Sequence, residues 1–277
     1  MGKKEIVNHI KSPSLPALMP EIGFGTYKLT GHAALTAVEY ALEAGYRHID
    51  TAQFYGNEEE VGQAVRNAGI DRDHIFITTK VFPSDFNRLP QATEESLRKL
   101  KTDYVDLLLL HWPSDEESNK IAINYLNEML GKGFTRYIGV SNFNIKLLQL
   151  ATSIAPVACN QVEYHPYISQ EKMVAYAKEH HIFLTAYSPL AKGRVFADQT
   201  LTQLSGKYGK TVGQLVLRWL LQQGNISVIP KASSAERIKE NLDIFDFSLT
   251  TDDMEIISGL SHNSRITSPA WAPEWDE

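Results

Sequence analysis

The chain has 277 residues, 43% of them hydrophobic, with a formal net charge of -6 and a pI near 5.9. That acidic balance excludes a general nucleic-acid surface, because binding phosphates needs a basic face. Cys159 is the only cysteine, so no intrachain disulfide can form and the chain fits a reducing compartment.

The opening residues, MGKKEIVNHIKSPSLP, carry lysines but no apolar stretch long enough for a signal peptide. No apolar run, Leu107 to Leu110 included, approaches the length that crosses a bilayer, so a soluble, cytoplasmic protein is expected. A strand is expected at Ile22 to Thr26, followed by an amphipathic helix from Ala33 to Ala44 with Leu35, Val38 and Leu42 on one face. The alternation continues, with strands ending near Asp50, Lys80, His111, Asn142, Glu163, Ser188 and Lys231 and helical patterns between them. In the last long helix Val212, Leu215, Val216, Trp219 and Leu220 keep helical spacing, and Gly224 stands where a C-terminal cap belongs.

Eight strands each followed by a helix imply a closed parallel α/β barrel, the (β/α)8 TIM barrel, as one domain over residues 1 to 277. The alternative, an open doubly wound sheet, lacks its nucleotide fingerprint: Gly23-Phe24-Gly25 is followed by Lys28 where a third glycine should stand.

Four residues suited to proton transfer stand near the ends of three successive strands: Asp50 and Tyr55, then Lys80, then His111. Each alone has an ordinary reading, as a turn cap, a loop aromatic, a solvated charge and a core histidine. Together they follow apolar runs at the points where strands release the chain into loops, and polar groups gathered at one end of a parallel barrel mark its active face. Competing chemistries fail on spacing. Gly139-Val140-Ser141-Asn142-Phe143 starts like a nucleophile elbow but has Phe where the second glycine is needed. His180 and His181 are adjacent, and the chain has neither a His-Glu-x-x-His pattern nor a cysteine pair, so neither a serine nucleophile nor a metal is expected.

The segments around these residues carry a resemblance. GYRHIDTAQFYGNEEEVGQAV at 45 to 65, ITTK ending at Lys80, LLLLHWP at 107 to 113 and TRYIGVSNF at 135 to 143 resemble the aldo-keto reductases, from about Ile22 to the C-terminus. The closing stretch from Arg265 to Trp275, with its SPAWAPEW ending, further resembles bacterial 2,5-diketo-D-gluconate reductases of the B type, which also reduce methylglyoxal. The resemblance maps Asp50, Tyr55, Lys80 and His111 one by one onto that family's catalytic tetrad.

Carbonyl reduction needs a hydride at carbon and a proton at oxygen, and no side chain supplies a hydride, so a nicotinamide cofactor is implied. Tyr55 is then the expected proton donor; a free phenol has a pKa of about 10, and a nearby cation, Lys80, is expected to lower it. Asp50 would hold Lys80 in its ammonium form, and His111 would donate a hydrogen bond to the substrate oxygen.

The resemblance also implies that Ser141, Asn142 and Gln161 hold the nicotinamide carboxamide, that Tyr187 stacks on its ring, and that Ser188 and Leu190 meet the pyrophosphate. Lys231, Ser233, Arg237, Glu240 and Asn241 match the family's adenosine-phosphate site, where two cations and a helix N-terminus near Ser234 suit the 2'-phosphate of NADPH. Ala232 stands where the family usually has Ser or Thr, which removes one hydroxyl contact and leaves room for some use of NADH. Tyr27, Phe54, Phe82, His111 and Trp112 are the expected substrate-pocket residues, with Trp271 to Trp275 closing it. Tyr27 departs from the Trp of many relatives. The family's barrel-bottom hairpin has no Asn-Gly or Asp-Gly turn to form on within residues 1 to 20.

The expected protein is a monomeric NADPH-dependent reductase of small aldehydes, methylglyoxal or diketo sugars, without nucleic-acid or membrane partners. A nucleotide-binding regulatory or redox-sensing subunit on the same fold is the alternative from another class, and a phosphate-binding isomerase a third.

Overall fold

The computed structural model describes residues 19 to 276, so the expectation about the N-terminal hairpin falls almost wholly outside the described residues. Strands and helices alternate: β1 Phe24–Gly25, α1 Gly31–Ala44, β2 His48–Asp50, α2 Glu58–Asn67, β3 Phe76–Val81, α3 Leu89–Leu100, β4 Val105–Leu110 and α4 Glu116–Gly131. The second half repeats the pattern with β5 Thr135–Ser141, α5 Ile145–Ile154, β6 Val157–Glu163, α6 Glu171–Glu179, β7 Phe183–Tyr187, α7 Gln199–Tyr208, α8 Val212–Gln222, β8 Ile226–Val228, α9 Ala235–Leu242 and α10 Thr251–Ser258. The eight strands form one sheet in sequence order, and each neighbouring pair is parallel. Paired residues do not form a ladder between β8 and β1. Instead an isolated parallel bridge joins Ile22 to Val228, and backbone bonds run from Val228 N to Glu21 O at 3.0 Å, Gly23 N to Val228 O at 2.8 Å and Gly25 N to Pro230 O at 3.1 Å.

Alternation along each strand sorts the interior. One parity (Ile49, Ile77, Val81, Leu108, Leu110, Ile138, Val140, Leu184, Ala186) packs outward into the large core shared with the helices. The other parity supplies a separate buried cluster, Phe76, Leu107, Leu109, Cys159 and Phe183 with Met19. Further along the strands that parity places Thr78, Gln161 and Thr185, then Lys80 and Tyr187, with His48 and Asp50 of β2 paired beside β3. The lower interior is therefore apolar and the end reached by the strands' C-termini is polar.

Three expectations shift. The first strand is short, because only Phe24 and Gly25 pair with β2. The eighth ends at Val228 and not near Lys231: Ile229 still donates to Ala186 O, but Pro230 has no N–H to continue. The buried face of α1 is Ala34, Ala37, Val38, Ala41 and Leu42, with Leu35 half-buried, because small alanines let the helix lie close to the sheet. In α8 Leu215, Val216, Trp219 and Leu220 are buried as expected, but Val212 is half-buried and Leu217 and Leu221 join the buried set; Gly224 takes φ +75° with its N–H bonded to Leu221 O.

Gly62 lets α2 lie directly against the end of α3. A Cβ there would fall 2.3 Å from Leu100 O and 2.6 Å from Leu100 Cα, both backbone atoms at the end of α3. Because neither can swing away, Gly62→Ala should destabilise the protein by about 1 to 3 kcal/mol through overpacking. Urea unfolding should show a lower midpoint with an unchanged slope; an unchanged midpoint would mean that α2 shifts freely.

Candidate active site

The site is built at the C-terminal ends of the strands. Asp50, the last residue of β2, and Lys80, near the end of β3, both point inward and are 1% and 0% exposed. Lys80 Nζ donates to Asp50 Oδ1 at 2.6 Å, to the carbonyl of Thr51 at 2.8 Å and to the hydroxyl of Tyr55 at 3.3 Å. An ammonium has three donors, and here each has an acceptor. The second carboxylate oxygen of Asp50 accepts from Gln161 Nε2 at 2.7 Å, which ties β6 to the pair.

Tyr55 reaches Lys80 because the chain leaves β2 in a single 3-10 turn, Gln53–Tyr55, ended by Gly56 at φ +65°. Two side chains fix that turn. Gln53 Nε2 donates to Ala92 O and to Ser96 Oγ of α3, both at 2.8 Å. Buried Asn57 accepts from Thr51 Oγ1 at 2.6 Å and donates to the carbonyls of Thr26 and Leu29 at 3.0 and 2.8 Å. His111 follows β4, with its N–H bonded to Val81 O at 2.9 Å and its ring centroid 5.5 Å from that of Tyr55.

Burial dominates the electrostatics. It pushes the Asp50 carboxyl up and the Lys80 ammonium down, and their mutual attraction opposes both displacements. Burial, followed by the Asp50, Tyr187 and Tyr27 groups nearby, raises the Tyr55 phenol well above its usual value. The expected lowering by Lys80 is not seen, because Asp50 cancels most of the cationic field at 2.6 Å and desolvation of a phenolate then decides the sign. Burial and the Lys80 charge hold the His111 imidazole well below its usual range, and so neutral. One layer down, His48 is fully buried, its Nε2 lies 3.0 Å from Thr78 Oγ1, and burial with the Lys80 charge brings it to about 3.

Ser141, Asn142, Gln161 and Tyr187 come together beside the pair. Ser141 Oγ donates to Gln161 O at 2.9 Å, Asn142 Nδ2 to His111 O at 3.0 Å, and Tyr187 OH to Asn142 Oδ1 at 2.7 Å. Asn142 and Ser188 hold left-handed backbone, φ +63° and +50°, which asparagine tolerates and serine rarely adopts. Leu190 packs partly against the core. Lys231, Ser233 and Arg237 are exposed on the segment from β8 into α9, whose N-cap Ser234 accepts from Arg237 N. Among the described residues neither Lys231 nor Arg237 is ion-paired; the Arg237 guanidinium lies 5.9 Å from the Phe196 ring. Glu240 accepts from Thr211 Oγ1 at 2.8 Å, and Asn241 is buried.

The aromatic residues form a mouth around Tyr55 and His111. Phe54 stacks on Phe82 at 4.8 Å, Tyr27 lies 5.0 Å from Tyr55, and Trp112 meets Trp271 at 5.0 Å and Trp275 at 6.2 Å. Tyr27, Phe54 and Trp271 are 47%, 60% and 53% exposed, an unusual concentration of open aromatic surface around one mouth. The sequence reading missed the bond from Gln161 to Asp50, the two side chains that fix the turn, and buried Glu163. The signal for the last was the run Asn160-Gln161-Val162-Glu163, polar at three of four positions within a buried strand. The Asp71, Asp73 and His74 grouping is exposed and precedes β3, at the opposite end of the sheet from Lys80.

Comparisons with known proteins converge. Residues 21 to 262 match the model of the aldo/keto reductase family. The chain is 40% identical over 266 residues to methylglyoxal reductase DkgB of Escherichia coli O157:H7, covering 93% of this chain and 99% of that one. It is 41% identical over 255 residues to methylglyoxal reductase DkgA of the same organism, covering 90% and 92%. A crystal structure described as a candidate 2,5-diketo-D-gluconic acid reductase B superposes with a TM-score of 0.94 at 43% identity over 99% of both chains.

The buried histidines give the site a pH signature. An imidazole whose folded value lies below its unfolded value of about 6.5 contributes its full stability above that value and loses it as pH falls toward the folded one. For His48 that window runs from about 6.5 down to about 3. Within it, stability should fall by up to about 1.4 kcal/mol per pH unit from this residue. Urea midpoints between pH 7 and 4 should therefore drop more steeply for the wild type than for His48→Gln, and parallel slopes would refute the buried neutral state.

Proposed function

The chain belongs to the aldo/keto reductase family, and we propose that it reduces small carbonyl compounds (aldehydes, methylglyoxal or diketo sugars of the 2,5-diketo-D-gluconate kind) to alcohols with NADPH. The observation that carries this reading is the Lys80 ammonium bonded at once to Asp50 and to the Tyr55 hydroxyl, beside a neutral His111. The three backbone bonds across the β8 to β1 seam support a closed barrel with this cluster at its C-terminal mouth.

A reduced nicotinamide, when bound, supplies the hydride that no side chain can. The remaining work falls to the chain. Tyr55, kept protonated through neutral pH by burial, gives its proton to the carbonyl oxygen as that oxygen gains negative charge. Lys80, 3.3 Å away, stabilises the phenolate left behind, and Asp50 keeps Lys80 charged. His111 donates a hydrogen bond to the same oxygen from one ring nitrogen, which a neutral imidazole can do while leaving the proton transfer to Tyr55.

The polar residues fit the proposed cofactor by donor chemistry. Ser141, Asn142 and Gln161 place amide and hydroxyl groups beside the tetrad, suited to a carboxamide, and Tyr187 offers a ring anchored through its hydroxyl. Lys231 and Arg237, two exposed cations without acidic partners among the described residues, flank the α9 N-terminus that Ser234 caps, a setting suited to a 2'-phosphate. Ser233 adds a hydroxyl there, Ser188 and Leu190 would meet the pyrophosphate, and Glu240, which accepts from Thr211 at the start of α8, and buried Asn241 lie on the same helix.

Tyr55→Phe should lower turnover of methylglyoxal, followed by NADPH absorbance, by at least about 10² to 10⁴-fold, the usual worth of general acid catalysis, while NADPH affinity stays near wild type. Lys80→Met should be comparably inactive and Asp50→Asn milder. Retention of a substantial part of wild-type turnover in Tyr55→Phe would remove the phenol from its role. For cofactor choice, Arg237→Ala should weaken NADPH by about 10 to 100-fold, the worth of charge-assisted bonds, and NADH far less. Fluorescence titration of both cofactors reads this, and equal losses would assign Arg237 to the shared adenosine.

A further inference from the structure

Glu163 ends β6 with no solvent exposure and takes no part in the proposed chemistry. Its carboxylate is saturated with donors from two directions. His165 Nε2 lies 2.9 Å from Oε1, Ile266 N–H donates to Oε1 at 2.6 Å, and Thr267 N–H donates to Oε2 at 2.7 Å. Two successive backbone amides on one buried carboxylate form a directed grip on the chain, since each amide has one donor and the pair fixes both position and orientation.

The chain that leaves this grip crosses the aromatic mouth. Trp271 meets Trp112 at 5.0 Å and Phe82 at 6.2 Å, and Trp275 lies 6.2 Å from Trp112. Beyond them the strap is held again: Asn144 Nδ2 donates to Glu274 O at 2.8 Å, and Ile145 N–H donates to the Asp276 carboxylate at 2.9 Å, at the start of α5. The grip sits on the same strand as Gln161, which bonds Asp50, so strap and tetrad are referenced to one rigid element.

We propose that Glu163 is a positioning residue for the substrate pocket, gripping the amides of Ile266 and Thr267 so that Trp271 and Trp275 are held over Trp112 and complete the wall that binds the organic part of the carbonyl substrate. It touches none of the reacting atoms. Its loss therefore acts on KM and leaves the proton-transfer step intact.

The kinetic arm of the test rests on the carbonyl-reductase reading and uses phenylglyoxal, a dicarbonyl whose ring needs the aromatic wall. Glu163→Ala should raise its KM by about tenfold or more, with kcat within about threefold and NADPH affinity unchanged. Trp271→Ala should do the same, and the double variant should be no worse than the larger single, because both remove one wall. Glu163→Gln, which keeps one acceptor, should fall between. The second arm needs no turnover: hydrogen exchange over residues 266 to 276 should accelerate in Glu163→Gln, and in Glu163→Ala if it folds. An unchanged KM in folded Glu163→Ala, multiplying effects in the double variant, or unchanged exchange in Glu163→Gln would each overturn the proposal. A wild type that never turns over the dicarbonyl but loses strap protection in Glu163→Gln would instead refute the functional reading and leave the grip standing.

Discussion

A lysine ammonium with no exposure to solvent is the constraint around which this molecule is arranged. Taking such a charge out of water costs several kcal/mol, which only fixed, well-aimed acceptors offset. Lys80 finds them in a carboxylate, a backbone carbonyl and a phenol, supplied by the end of β2 and the turn that follows. Those acceptors must be held in turn. Gln161 occupies the free oxygen of Asp50, Asn57 ties Thr51 to the end of β1, and Gln53 pins the turn to α3. One buried charge thus dictates the geometry of three strands and two loops, and the phenol beside it inherits a fixed position.

The sheet makes room for that charge by parity. The residues that point inward are apolar where they meet Phe76, Leu107, Leu109 and Phe183, and polar at the strands' C-terminal ends. The lower layer excludes water, so the polar layer above rests on a medium that strengthens every electrostatic term within it. Burial there also fixes protonation. With the Lys80 and Asp50 charges adding to it, burial keeps two imidazoles neutral and one phenol protonated.

Much of this was legible in the sequence, because strand alternation and strand ends are local properties. The runs before Asp50, Lys80 and His111 announce both the strands and the side of the sheet on which their last residues lie. The elements that went astray are those decided by contacts distant in sequence. The eighth strand stops early because Pro230 breaks a bond with a strand more than forty residues earlier, and the α1 face recentres on alanines because the sheet behind it is close. The sign of the Tyr55 displacement was misjudged for a similar reason. Proximity to a lysine is visible in a motif, whereas the cancelling carboxylate at 2.6 Å and the desolvation of the ring are properties of the assembled interior. The bond from Gln161 to Asp50 spans 111 residues and has no local signature at all.

The rim obeys different physics from the interior. Phe54, Tyr27 and Trp271 remain about half exposed, an arrangement that a monomeric surface does not favour unless something covers it, and they come from two separate loops and the C-terminal strap. Rigid strands can place Lys80 to within a hydrogen bond, but loops cannot place rings so closely unless they are fastened. The fastenings are buried polar side chains at the roots of these segments: Asn57 below Tyr27, Gln53 beside Phe54 and Glu163 below Trp271. Asn57 and Glu163 bond backbone groups of the segment they hold, Gln53 ties its own turn to α3, and in each case the aromatic side chain is left free. Side chains at the rim can therefore change while the anchors hold the backbone in place, so the pocket's selectivity is separable from the tetrad's geometry.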